Sequence, residues 1–425
     1  MQRILVTYLA LLLSIIALAQ SPKEEFRKNL HLTGSNFLAY PYPKTNSLTP
    51  APQGKRPFYI SHYGRHGSRY QTNAIDYDYA YDVMLRADGE GALSALGCDV
   101  LRRLTEVRKE GRSHLGELTQ LGARQSRDIA CRMYERFPEV FQGSVVVNAR
   151  STTTPRCILS MSCALMELQK HNTKLQIQQD ASDQYNYYLK NFIDPVTSSA
   201  AMDAYQDFCN QHECWQRVVD ALFSDKEYME QYVNGERLNY YLFRLASGMQ
   251  NTEQGNSITF YDLFTDDELY EDWLCENAFW FLGYGSSVLT NYERPYSQTM
   301  LLRTIIEQAD SCLRLPAPGA TLRFGHETML LPFICLLNIN GFGQAIDDLN
   351  QLERKGWLCY RAVPMGANVQ FVFYRSDPSD QDVLFKVLLN ENEATLPLPS
   401  QQAPYYRWSD FRDYYLKLLA EHEGN

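Results

Sequence analysis

Beyond its first nineteen residues the 425-residue chain has no uncharged run long enough to cross a bilayer, so no membrane-spanning segment is expected there. Nor does it carry an excess of positive charge. Lys and Arg number 40 against 50 Asp and Glu, and the net charge of −10 (−11 without Arg3) argues against nucleic acid or an anionic membrane as a partner. Any positive field must therefore be local. Internal repeats and low-complexity segments are missing too, which removes stacked-repeat architectures and long disordered tracts. Metal-ligand spacing is equally scarce. Cys209 and Cys214 flank His212, but no second ligand pair stands at a zinc-like spacing, and no metal or cofactor is expected.

The segment MQRILVTYLALLLSIIALAQ opens the chain. Arg3 precedes an uncharged run from Ile4 to Leu18 that is short for a membrane span and ends in Ala17-Leu18-Ala19, the small-x-small pattern of a signal-peptidase site. Residues 1–19 read as a cleaved export signal, which would place the protein in the periplasm or outside the cell. No cysteine follows the site to carry a lipid anchor. Ten cysteines occupy the rest of the chain, in a compartment where disulfides persist. Their pairing is not legible, and Cys209 with Cys214 reads as a local disulfide or as plain buried thiols.

A remainder of about 400 residues can bury a large core, as one large domain or two smaller ones. Apolar, β-rich runs at Pro57–Tyr63, Ser144–Ala149, Thr321–Gly325, Val369–Tyr374 and Val383–Leu389 read as buried strands. Helical patterns alternate with them, at Leu118–Arg136 and Leu159–Gln169, and PYYRWSDFRDYYLKLL reads as a closing amphipathic helix. The pattern predicts an α/β fold with a central, mostly parallel sheet flanked by helices. From about residue 182 to 309 the spacing is helical and strand-like runs are almost absent. The expected organisation is a discontinuous core, 20–181 and 310–425, with a largely helical insertion at 182–309 over the active-site cleft.

The first strand ends in Tyr63-Gly64-Arg65-His66-Gly67-Ser68-Arg69-Tyr70. Two guanidinium forks around an imidazole, at the sheet edge where α/β proteins bind ligands, suit a phosphate. Gly67 would let the backbone turn sharply there. The neighbouring cations disfavour imidazolium and keep His66 neutral and nucleophilic. An arginine-rich surface turn is the plainer reading of the same residues. After the second strand comes Asn148-Ala149-Arg150-Ser151-Thr152-Thr153-Thr154-Pro155-Arg156, and after the third Arg323-Phe324-Gly325-His326-Glu327-Thr328. The last supplies a donor to phosphoryl oxygen and a candidate general acid, which an alkoxide leaving group requires.

In Arg65-His66-Gly67-Ser68-Arg69, Gly116-Glu117-Leu118-Thr119-Gln120-Leu121-Gly122, Arg150-Ser151-Thr152…Arg156 and Gly325-His326-Glu327-Thr328, taken in order, the sequence resembles the histidine acid phosphatase branch of the histidine phosphatase superfamily, which includes phytases and multiple inositol polyphosphate phosphatases. The resemblance spans most of the chain beyond residue 19. It implies that His66 becomes phosphohistidine, that Arg65, Arg69, Arg156 and His326 bind the phosphate, and that Glu327 protonates the leaving oxygen. Arg156, rather than Arg150, matches the family's third pocket arginine. A helical domain roofing the cleft is also implied. One departure stands out: acid phosphatases and many phytases resemble His-Asp-Thr here and the inositol polyphosphate branch His-Ala-Glu-Thr, whereas this chain has His326-Glu327-Thr328. Aligned on Leu330-Leu331-Pro332, Glu327 takes the alanine position and Thr328 the glutamate position.

The expected activity is metal-free hydrolysis of phosphate monoesters, with inositol polyphosphates such as phytate first among substrates and a broad-specificity acid phosphatase as the alternative. Two rivals remain from the residues alone. A phosphate mutase of the same superfamily would share Arg-His-Gly but resembles Arg-His-Gly-Glu, and a non-catalytic phosphate-ester binding protein would not need the full set of reactive side chains. The expected partner is a small phosphorylated substrate.

Overall fold

The computed structural model describes residues 21–44, 47–190 and 199–424. The segment read as an export signal lies outside the described residues. Each of the five apolar runs forms a strand: β1 Arg56–Arg65, β2 Val146–Ser151, β4 Gly319–Gly325, β5 Asn368–Arg375 and β6 Leu384–Leu389. Shorter strands add β3 Gln176–Asp180, β7 Asn392–Ala394 and β8 Tyr406–Arg407. One sheet results, in the order β3-β2-β4-β1-β5-β6-β7, with β8 also paired to β6. The pairings among β1, β2, β3 and β4 are parallel, while β5 to β8 join antiparallel. The parallel half carries the chemistry. Its strands return through long helical crossovers, which leaves all their C-terminal ends on one edge.

Strand alternation divides the core between two faces. On one face Ile60, Val147, Ala149, Leu322, Phe324 and Val372 pack against helices Gln120–Arg136 and Pro155–His171 through Ala130, Met133, Met161 and Leu165. On the other, Tyr59, Tyr63, Phe371 and Phe385 meet helices Thr299–Cys312, Glu327–Leu336 and Trp408–Glu423 through Leu301, Ile305, Phe333, Phe411 and Tyr415. The Val, Ile, Leu, Met and Phe side chains among these each contribute about 1.5–3 kcal/mol through burial. The helix starts are written locally. Thr119 accepts from the Gly122 N–H at 3.1 Å, and Pro155 occupies a first-turn position where its missing N–H costs nothing.

Among the described residues between Asp180 and Gly319 the regular structure is helical, with helices Ser199–Gln211, Gly235–Met249 and Asp266–Tyr284. Thr265 and Glu268 close the last of these in a capping box. This helical layer draws on more chain than 182–309. Helices Ile75–Gly89 and Ala95–Gly111, between β1 and β2, share a core with it through Tyr77, Met84, Val100, Leu104, Leu238 and Leu242.

The ten cysteines are all free thiols, with no pair at bond distance. Cys209 and Cys214 do not join as a local disulfide: Cys209 interacts with Tyr205 and Cys275, whereas the Cys214 thiol reaches the Glu268 carbonyl at 3.7 Å and Asp272 at 4.0 Å.

Candidate active site

Parallel register brings the chemistry-bearing segments to one edge. Arg65, the last residue of β1, stands opposite Gly325, the last of β4, and Ser151, the last of β2, stands opposite Phe324. His66, Thr152 and His326 each follow the end of their strand. Arg156 sits in the first turn of the helix after β2, and Glu327 opens the helix after β4.

His66 is fully buried. Its Nδ1 lies 2.8 Å from the Gly67 carbonyl oxygen, which only accepts, so Nδ1 carries the proton and Nε2 presents its lone pair. That Nε2 has no hydrogen-bond partner in the protein. The loop is held by its backbone: His66 N–H donates to Gly325 O at 3.1 Å, Gly366 N–H to His66 O at 2.9 Å, and Gly67 N–H to Ser160 Oγ at 3.1 Å.

Around that nitrogen stand the cations. Arg65 Nη1 donates to the carbonyls of Asn36 at 2.6 Å and Val363 at 2.8 Å, while its Nε lies 3.0 Å from Glu327 Oε2. Arg69 Nη2 is 4.0 Å from Glu327 Oε1, and Glu327 Oε2 is 3.7 Å from His66 Nε2. Arg156 Nη1 donates to Gly116 O at 3.3 Å. Arg65 Nη2, Arg69 Nε and Arg156 Nε are buried N–H groups without an acceptor in the protein. Orphaned cationic donors beside an orphaned lone pair are costly in a folded interior and mark the seat of an anion.

The same arrangement sets the protonation states. Burial, then the charges of Arg65, Arg156 and Arg69, hold the His66 imidazole well below its ordinary value, against an opposing pull from Glu327. His326 is pushed down to about 4, by burial first and then by Arg156, Arg65 and Lys190, with Glu327 again opposing. Both rings are neutral near pH 7. Burial would raise the Glu327 carboxyl, but Arg65, His66, Arg69 and His326 together hold it well below the usual carboxylate range. The carboxylate thus sits among the cations of the cluster.

His326 Nε2 lies 3.4 Å from both Thr152 Oγ1 and Thr154 Oγ1, and Cys157 Sγ is 3.7 Å away. The His66 and His326 rings are 5.6 Å apart between centroids. Arg150 points elsewhere: it donates to the carbonyls of Ala149 and Gln178 and covers the Tyr185 ring. Beside Arg69 and Glu327 opens a cleft of about 360 Å³, lined by these two, by Asn36 and Phe37, and by Tyr240, Arg244, Glu276 and Trp280 from the helical layer. It is wide enough for a small polyanion, and its mouth carries Arg244 over the Phe37 ring at 5.2 Å.

Residues 64–390 match the family profile of the histidine phosphatase superfamily (branch 2). This chain belongs to that family. Among curated relatives, the human multiple inositol polyphosphate phosphatase 1 (Homo sapiens) is 23% identical over 341 residues, which cover 72% of this chain and 66% of the human protein, just under two thirds of its length. The multiple inositol polyphosphate phosphatase of Bifidobacterium longum, solved with inositol hexasulfate, superposes with a TM-score of 0.75 at 16% identity, covering 90% of this chain and 97% of that one. The phytase of D. castellii gives 0.67 at 13% identity, over 92% of this chain and 85% of its own. At these identities the structural likeness is one of fold.

Within this branch-2 phosphatase, Arg65, His66, Arg69, His326 and Glu327 form one cluster, with Arg156 at its edge. The sequence pointed less clearly to what supports them. Asn36 and Val363, which orient Arg65 through main-chain oxygens, carry no side-chain signal at all. Thr152 and Thr154 lie in the segment that follows β2, but a threonine near a histidine is too common to single out. The Gly116–Gly122 stretch has a local reason. Thr119 N–H donates to Ser68 O at 2.9 Å, Tyr70 N–H to Glu117 O at 3.0 Å, and Gly116 O holds Arg156, so this turn straps the catalytic loop to one of its arginines. Gly67 does not have positive φ and is not the sharp turn expected. A Cβ there would lie 2.3 Å from Gly122 O, so its role is close approach.

Proposed function

We propose that this enzyme hydrolyses inositol polyphosphates such as phytate through a phosphohistidine on His66. The observation that carries the reading is the buried, unpartnered lone pair of His66 Nε2 among unpartnered N–H groups of Arg65, Arg69 and Arg156. His66 Nε2 attacks phosphorus in line as the ester P–O bond breaks, and the three arginines with neutral His326 hold the charge on the transferring oxygens. Glu327 gives its proton to the departing alcohol. Water then attacks phosphorus, the P–N bond breaks, and Glu327, now a carboxylate, takes the water's proton.

The substrate-free state of Glu327 fits this cycle once the phosphoryl group arrives. The anion takes over the arginines that hold the carboxyl down, and its own negative charge favours the protonated acid. The carboxylate near His66 Nε2 must move aside for the phosphate. The inositol reading is supported by the cleft's size, by Arg69 and Arg244 on its walls, and by relatives named for that substrate class. Export rests on the N-terminal Arg3, uncharged run and Ala17-Leu18-Ala19.

Phosphate release measured across inositol hexakisphosphate, sugar phosphates, nucleotides and an aryl phosphate tests the substrate. The highest kcat/KM is expected on inositol hexakisphosphate. Comparable values on all four classes would make the enzyme a broad acid phosphatase, and no release from any would make it a binding protein.

A further inference from the structure

Two helices support the catalytic loop from behind. Gln120–Arg136 does so through Gln125, whose Oε1 accepts from the Ser68 N–H at 2.9 Å, and Pro155–His171 through Arg156 and Ser160. Both have their N-terminal turns at the site, so they run in the same direction, and both carry a chelating pair on a later turn. Cys131 and Glu135 are spaced i, i+4 on the first, and Glu167 and His171 are spaced i, i+4 on the second. That spacing puts two side chains on one helix face.

Their donor atoms converge. Cys131 Sγ, a Glu167 oxygen and a His171 ring nitrogen all lie within 4.8 Å of one another. His171 Nε2 is 3.2 Å from Glu167 Oε1, and Cys131 Sγ is 3.5 Å from Glu135 Oε1. His171 Nε2 is a buried atom without a hydrogen-bond partner, and its ring is fixed by stacking on Tyr134 at 4.8 Å. Among the described residues the other such cluster is His66, His326 and Glu327, where the surrounding arginines repel a cation.

We propose that Cys131, Glu167 and His171 bind one thiophilic divalent cation, zinc by its ligand set, which ties the two supporting helices together away from the reaction. Thiolate, imidazole and carboxylate suit zinc and exclude calcium and magnesium, which take oxygen ligands. Glu135 stands next to the thiol as a fourth ligand. Binding releases the Cys131 proton, and the neighbouring carboxylates balance the charge of the ion. Lys170, now 3.0 Å from Glu167 Oε1, gives way to the metal. The clamp lies roughly 16 to 23 Å along its helix from Arg156, at about 1.5 Å per residue, so it acts on stability and leaves the chemistry alone.

The alternative is an ordinary ion-pair cluster with an idle thiol. Cobalt(II) added to the chelator-treated full-length enzyme separates the two, because a thiolate ligand gives a sulfur-to-cobalt charge-transfer band and tetrahedral geometry gives strong visible bands. One equivalent of cobalt is expected to develop both, and zinc to displace it and raise the melting temperature. Cys131→Ser should remove the charge-transfer band. His171→Ala should weaken zinc binding by more than the roughly ten- to hundred-fold that loss of an outer-shell partner costs, and abolish the zinc-dependent rise in melting temperature. Turnover by both variants should match the wild type. No charge-transfer band in the wild type, or an undiminished one in Cys131→Ser, would overturn the site.

Discussion

At the scale of single residues, the central question is which group protonates the leaving oxygen, because Glu327 occupies a position one step earlier than in the inositol branch. Its carboxylate lies 3.0 Å from Arg65 Nε and 3.7 Å from His66 Nε2, which places it in the phosphate seat. A threonine hydroxyl is too weak an acid to replace it. Glu327→Gln should therefore lose about a hundred- to ten-thousand-fold on an inositol phosphate, whose alkoxide needs a proton, and much less on a nitrophenyl phosphate, whose leaving group does not. Thr328→Val should leave the ratio of the two activities nearly unchanged. Equal losses on both substrates in Glu327→Gln would reduce Glu327 to a phosphate-orienting role. The same residues set the pH profile. His66 is held neutral far into acid by burial and its arginines, and Glu327 must be protonated in the complex, so kcat should trace a bell on the acid side of neutrality. Glu327→Gln should remove its alkaline limb; an unchanged limb would assign it to another group. Of this site the clustering side chains could be named from the sequence, since an Arg-His-Gly-Ser-Arg run at a strand end has few uses. Their main-chain partners could not, because any residue supplies a carbonyl.

At the scale of elements, the five buried strands could be read from continuous apolar runs, whereas β3 could not. Gln176–Asp180 reads QIQQD and forms an exposed edge paired with β2, so no burial pattern marks it. The contact between the catalytic loop and helix Gln120–Arg136 was equally hidden. Added Cβ atoms would lie 2.3 Å from Gly122 O at Gly67 and 2.2 Å from Ser68 O at Gly122, both rigid backbone. Gly67→Ala and Gly122→Ala should each cost about 1–3 kcal/mol through overpacking and lower kcat by shifting His66, while the far-UV dichroism stays native. Full activity in either variant would refute the close-packing role. In the helical layer, burial, with Glu268 and Glu271 adding, pushes Asp272 up to about 7, against an opposing hydrogen bond from Asn239. A carboxyl raised from an unfolded value of about 3.9 makes folding take up a proton, so stability is lost as pH rises through about 7. Asp272→Asn should accordingly gain in melting temperature over the wild type from about pH 5 to about pH 7, inside the window between those two values. A constant difference across that range would show that Asp272 titrates normally.

At the scale of the whole molecule, the site exists because segments far apart in sequence end on one sheet edge: β1 with its loop, β2 with the following helix, and β4 with the Glu327 helix. Strands resume after the long helical stretch, and β4, from Gly319, takes its place between β2 and β1 in the one sheet. The participation of residues 75–111 in the helical layer was not legible in the sequence, because an amphipathic helix does not name the face it will pack on. Free thiols throughout, where an oxidising compartment suggested pairing, show that cysteine count does not fix bonding. Distance and side-chain direction do. The proposed reaction depends on His66 forming a covalent intermediate. Brief reaction with labelled inositol phosphate, quenched without acid and followed by peptide mapping, should find label on His66 that is acid-labile and stable to alkali, and none in His66→Ala. Label on a serine or on Cys157, or label that survives in His66→Ala, would contradict it.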